Sequence, residues 1–151
     1  MSGSRGLVAV LIGRRHRYGN VVVSGYLVDV FCLGVKDTFG PKTMADDEWR
    51  AFVPHYFRSF DDPPLPSPLE LGQSLVLGAV DYARSLGFEP APDFSKVRPH
   101  LGEPAGKVPI TFGDRGRPTY LNGPRDDVDH IVATLNKNVG RGNYELVLVG
   151  G

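Results

Sequence analysis

Residues 25–42 read GYLVDVFCLGVKDTFGPK, an apolar run interrupted by Asp29, Lys36 and Asp37. How this run divides decides the fold. With the preceding VVVS it alternates and is rich in β-branched and aromatic residues, which predicts one long central strand over residues 21–35. On that reading Asp29 is a lone polar group met by an arginine or a backbone donor, and Lys36-Asp37 marks the strand's exit into solvent. Along a straight strand Asp29 and Asp37 share a face, but eight residues at ~3.3 Å each set them ~26 Å apart. Acids that share an ion or a proton lie within a few ångströms of each other, so only a bulge or break at Gly34 would bring other acids to Asp29.

Upstream, LVAVLIGRR is a second strand, and HRYGN supplies the break of a hairpin. Downstream, Thr43 is placed to cap a helix through ADDEWRAF, with Asp46 three residues on and Pro54 as its end. After the proline-rich DDPPLPSP, Ser67, Pro68 and Glu70 open a helix that runs to Leu86 and stops at Gly87. Its small-residue stripe of Gly72, Val76, Ala79 and Ala83 suits direct packing on a sheet. Asp93 starts a short helix at FSKV, which Pro99 should interrupt.

VPITFGDRGRPTYLNGP reads as a second hairpin with GDRGR at its tip and Asn122-Gly123-Pro124 as the following turn. Asp126 or Asp127 then caps a helix with Val128, Ile131, Val132, Leu135 and Val139 on one side, ended by Gly140. YELVLV is expected as a final core strand. The order ββααα(short)ββαβ predicts one α+β domain over residues 1–151, with helices packed on a sheet.

The chain is 41% hydrophobic and 23% charged, with formal net charge zero, which predicts one soluble globular domain and excludes a strongly basic one. The apolar GLVAVLIG is too short to span a bilayer and a poor secretion signal, and Cys32 has no intrachain partner. A cytoplasmic protein without membrane contact, metal or cofactor is the expectation.

Several chemistries fail on spacing. GEPAGKV, residues 102–108, has one residue too few between its glycines for a phosphate loop, and Val108 stands where a hydroxyl is needed. His16, His55, His100 and His130 show no metal-binding spacing. Asp126 and His130 share a helix and could make half of a metal site, but Asp126, Asp127 and Asp129 equally suit the positive end of that helix. Cys32 sits in an apolar strand, where a thiol is inert.

The surface feature that stands out is RRHRYGN. Arg14, Arg15, Arg17 and Tyr18 offer phosphate contacts and a stacking ring, and Arg115 and Arg117 of GDRGR would extend them if both tips lie on one side. A solvated loop or a site for an acidic protein surface would use the same residues.

The blocks GYLVDVFCLGVKDTF, GAVDYARSLGFEPAPDF and ITFGDRGRPTYLNGPRDD, about half the chain, resemble an uncharacterised family of small bacterial domains. That resemblance implies a bacterial cytoplasmic protein and carries over no catalytic residue. The ending LVLVGG, with Gly150 and Gly151, resembles the tails of ubiquitin-like proteins. Against that, the residues before the glycines read as a core strand and not as a free tail.

Two functions follow as expectations. One is a non-catalytic binding module whose basic tip contacts RNA or an acidic protein. The other is a metal-dependent hydrolase, such as a nuclease, using Asp29 with acids from the helices or the GPRDD turn; it requires another carboxylate or histidine within ~5 Å of Asp29.

Overall fold

A computed structural model describes residues 6–148. Strand β1 (Leu7–Arg15) and strand β2 (Val21–Asp29) form the expected hairpin, in register from Arg15 opposite Val21 to Leu7 opposite Asp29. The chain then departs from the single long strand read from the sequence. β2 stops at Asp29, Val30 to Leu33 turn, and β3 (Gly34–Met44) runs back antiparallel, with Gly34 opposite Asp29 and Met44 opposite Val21.

GYLVDVFCLGVKDTFGPK is thus a hairpin, and its two polar oddities explain why. The Asp29 carboxylate accepts hydrogen bonds from the backbone N–H of Phe31 at 2.9 Å and of Leu33 at 3.0 Å, organising the turn. Gly34 restarts the chain at φ 72°, a conformation costly for any residue with a Cβ. The turn is invisible to hydropathy because its own residues are apolar and the central one, Cys32, is fully buried.

Helix α1 (Asp46–Tyr56) begins two residues later than Thr43 would place it. Ala45 is the N-cap, its N–H bonded by Glu48 at 3.3 Å, because β3 holds the chain extended through Met44. α2 (Leu69–Ser85) matches the predicted helix, capped at Pro68, while the Ser67 hydroxyl donates to the carbonyl of Leu65. α3 (Phe94–Leu101) runs through Pro99 and stops at Gly102, so the proline does not end it.

The sheet β1-β2-β3 is covered on both faces. Ile12, Tyr26, Val28 and Val35 pack with Val76, Ala79, Val80, Phe94, Val97 and Leu101 of α2 and α3. Val21, Val23 and Met44, on the other face, meet Trp49 and Phe52 of α1. The small-residue stripe works as predicted: a Cβ on Gly34 would lie 2.9 Å from Ala83 Cβ and 3.0 Å from the Ala79 carbonyl oxygen.

The second hairpin is reduced to its tip. Asp114 and Arg117 form one bridge around Arg115 (φ 56°) and Gly116 (φ 85°), and then β4 (Thr119–Leu121) pairs parallel with the last strand, β5 (Glu145–Val147). Between them lies α4 (Val128–Asn138), capped by Asp127, which accepts from His130 N–H at 3.2 Å. Burial of Tyr120, Ile131 and Leu135 against Cys32 and Leu86 attaches this C-terminal unit at the β2–β3 turn.

β5 is not the expected core strand; Leu146 and Val147 are exposed at 41% and 38%. Gly150 and Gly151 lie outside the described residues. The architecture is α+β in roughly the predicted order. Among the described residues no helix is long and apolar enough to cross a membrane.

Candidate functional site

The arginine tip is largely spent within the fold. Arg14 turns inward, donating through Nε to the carbonyl of His100 and through Nη2 to that of Leu101, each at 2.8 Å. These carbonyls lie at the C-terminal end of α3, where the helix supplies no donors of its own and a cation is favoured. Arg15 pairs with Asp46, which also holds Arg50 at 2.9 Å, and the guanidinium of Arg15 keeps the Asp46 carboxyl below its ordinary range. His16, Arg17 and Tyr18 remain exposed on a turn closed by His16 N–H to Asn20 O at 2.8 Å.

The two tips do not meet. Gly113 N–H donates to Val30 O at 2.9 Å and Thr119 N–H to Phe31 O at 3.1 Å, so residues 113–119 sit at the β2–β3 turn. The Arg14–Tyr18 tip is at the other end of β2, a strand of nine residues or about 26 Å. Arg117 pairs with Glu145 at 2.7 Å and donates to Gly142 O, while Arg115 is exposed on the turn.

Asp29 is a turn organiser. Burial pushes its carboxyl above the ordinary value, against the opposing pull of the turn amides and Lys36. Lys36 is not a strand exit; its Nζ lies 3.5 Å from Asp126, which also accepts from Tyr120 OH at 2.8 Å and Gly123 N–H at 2.7 Å. For Asp126, burial works against the charge, but these donors outweigh it and the carboxyl sits below its ordinary value. Cys32 lies beneath this group; burial, with Asp29 and Asp126, pushes its thiol far up, so it does not supply a thiolate. Among the described residues no three of His, Cys, Asp and Glu come together as metal ligands.

A second polar cluster ties α3 to the sheet. Ser24 Oγ lies 2.6 Å from His100 Nδ1 and 2.9 Å from Tyr26 OH, and Tyr26 OH donates to Val97 O at 3.2 Å. Gln73 of α2 adds a bond to Leu101 O at 2.9 Å. Ser24 is fully buried, so this serine–histidine pair is closed to substrate.

The open feature is a groove of about 430 Å³ between α2, α3 and residues 103–112. Its apolar floor includes Leu77, Val80, Phe94 and Phe112, and the Phe112 ring stacks on Tyr82 at 5.8 Å. Gly78 makes room for that ring, since a Cβ there would lie 2.6 Å from it. The outer wall is fixed by Val108 N–H donating to Ser74 Oγ at 3.0 Å. On the rim, Arg84 pairs with Glu89 at 3.0 Å and Arg98 with Glu103, whereas Lys107 has no ion-pair partner among the described residues.

Sequence reasoning missed this groove because its outer wall, residues 108–112, was read as a strand. One signal was available: Gly78 in mid-helix, beside the sheet-facing stripe, costs about 1 kcal/mol against alanine and calls for a close neighbour. Comparison of the chain with protein-family models, with curated proteins and with solved structures finds no match.

Proposed function

We propose that the protein is a non-catalytic binding module whose ligand site is the groove between α2, α3 and residues 103–112. The observation that carries this reading is an apolar floor with an exposed Lys107 at its rim that has no ion-pair partner among the described residues. A concave, mainly apolar site with a few convergent polar groups is the usual form of a small-molecule or peptide site. The ligand chemistry that fits is an amphipathic anion, its apolar body on Phe112 and Leu77 and its charge toward Lys107. Two carboxylates, Asp81 and Glu103, line the groove, and Glu103 is held by Arg98; no serine–histidine or cysteine–histidine pair is among the lining residues, which favours binding over catalysis.

Anilinonaphthalene sulfonate, an apolar ring system with one anionic group, is a direct probe. Its fluorescence should rise on the folded protein, Lys107→Glu should weaken binding about tenfold, which is about 1.4 kcal/mol, and Gly78→Val, which displaces Phe112, should abolish it. Near-ultraviolet circular dichroism confirms that each variant is folded. Absence of binding, or equal binding by wild type and both variants, refutes the reading.

A second reading keeps the tip as a contact for RNA or an acidic protein, favoured by Tyr18, which is 86% exposed beside Arg17. Salt-sensitive binding of mixed RNA that is lost in the Arg15→Ala, Arg17→Ala, Tyr18→Ala variant would support it. Binding unchanged in that variant counts against it.

A further inference from the structure

The segment DDPPLPSP joins the two faces of the sheet, since α1 packs on one face and α2 on the other. Residues 61–68 are all exposed, and none lies in a helix or strand. Sheet and helix layers stack about 10 Å apart, so crossing from one helix layer to the other takes roughly 20 Å, and residues 63–68, which follow a bend at Asp61 and Asp62, supply about 19 Å as polyproline II at ~3.1 Å each. Pro68 has φ −58° and ψ 144°, within that conformation. A stiff spacer accounts for the prolines. It does not account for Leu65, which is 84% exposed and buries nothing.

We propose that residues 63–68 form a polyproline-II ligand, displayed for a partner domain with an aromatic-lined groove. At three residues per turn, Pro63 and Pro66 align on one edge and Leu65 and Pro68 on the next, the two-edged apolar ridge such grooves accept. Asp62 precedes the ridge, so the partner's groove is basic at the end that meets it. Because the segment is extended and stiffened by four prolines before contact, little ordering entropy opposes binding.

The test titrates the isotope-labelled full chain with an isolated WW domain and, separately, an isolated SH3 domain. Saturable shifts confined to residues 61–69, weakened at least about tenfold by Leu65→Ala as for truncation of an anchor, support the proposal. Leu65 is exposed, so the fold is unaffected by the change. No shift with either domain up to about 1 mM, the weak limit of specific contact, overturns it, as does equal binding by Leu65→Ala. Shifts that grow with protein concentration alone and vanish in Leu65→Ala overturn it in favour of a second copy of the chain.

Discussion

Ser24 Oγ and His100 Nδ1, 2.6 Å apart, begin a chain of hydrogen bonds whose direction is determined by its far end. Tyr26 donates to the carbonyl of Val97, so its oxygen accepts from the Ser24 hydroxyl, and Ser24 in turn accepts from Nδ1–H of His100. That places a proton on Nδ1 and leaves Nε2 buried without a hydrogen-bond partner among the described residues. Burial, reinforced by Arg14, holds the His100 pKa below its ordinary value, outweighing the Val22 backbone contact that would favour the charged ring.

The pH dependence follows from this sign. The unfolded chain takes up the His100 proton near pH 6.5 and the folded chain only at lower pH, so stability is fully present above about 6.5 and falls as pH drops through that value. Urea unfolding between pH 7.5 and 5 should show this loss, and His100→Gln should remove it. A wild-type profile flat across that range would contradict the assignment.

Replacing Asp29 separates a turn organiser from a catalytic acid. Asp29→Ala removes the acceptor of two part-buried N–H groups and should cost about 2 kcal/mol. Asp29→Asn keeps an acceptor for one of the two amides and sets its NH2 against the other, because Phe31 and Leu33 bond to different oxygens, so its cost should be smaller, about 1 kcal/mol. Equal losses for the two variants in denaturant titrations would show that one amide oxygen cannot hold the turn.

Gly34 carries two constraints that can be measured apart. Gly34→Ala should destabilise by about 2–4 kcal/mol, combining left-handed backbone strain with the clash against Ala83. Ala83→Gly removes the Cβ contact but adds a helical glycine costing about 1 kcal/mol and leaves the 3.0 Å approach to the Ala79 carbonyl oxygen, so the relief is read as the coupling energy of the double-mutant cycle, expected at about 1 kcal/mol. A coupling of zero would place the whole cost in the backbone and the Ala79 contact.

Arg14 and Arg17, three residues apart in the same motif, should behave differently. Arg14→Ala removes two charge-assisted bonds to the end of α3 and should cost about 2 kcal/mol. Arg17→Ala, on the exposed turn, should change stability by less than about 0.5 kcal/mol. Thermal unfolding of the pair decides it; equal effects would mean that Arg14 is not holding α3.

The α+β class, the first hairpin, α2 and the Asp127-capped α4 were legible because each rests on local signals: alternation, a proline at the helix start, a cap. The division of residues 25–42 was not. Val30, Phe31, Cys32 and Leu33 are apolar because the turn they form is buried beneath the C-terminal unit, so hydropathy hides the reversal. Asp29 followed two and four residues later by the amides it binds, with a glycine to restart the strand, was the available clue. The candidate site was less legible still. Arg14 and Arg15 looked like a ligand surface because a sequence does not show the carbonyls of α3 or the carboxylate of Asp46 that consume them. The groove depends on residues 78 and 112 meeting, and no local pattern encodes that meeting.

The parallel pairing of β4 with β5 also bears on the order of assembly. The β1–β2–β3 meander closes through short loops, whereas the β4–β5 pair must wait for α4 and its connections to close a loop of more than twenty residues between Leu121 and Glu145. Loop-closure entropy therefore favours the meander as the early, slowly exchanging nucleus and leaves the three-residue β5 as the last part to dock and the first to open. Native-state hydrogen exchange should find the amides of Tyr26 and Val28 protected to near the global unfolding free energy and those of β5 exchanging through a smaller local opening. Equal protection in both would mean that the C-terminal unit and the meander unfold as one cooperative body.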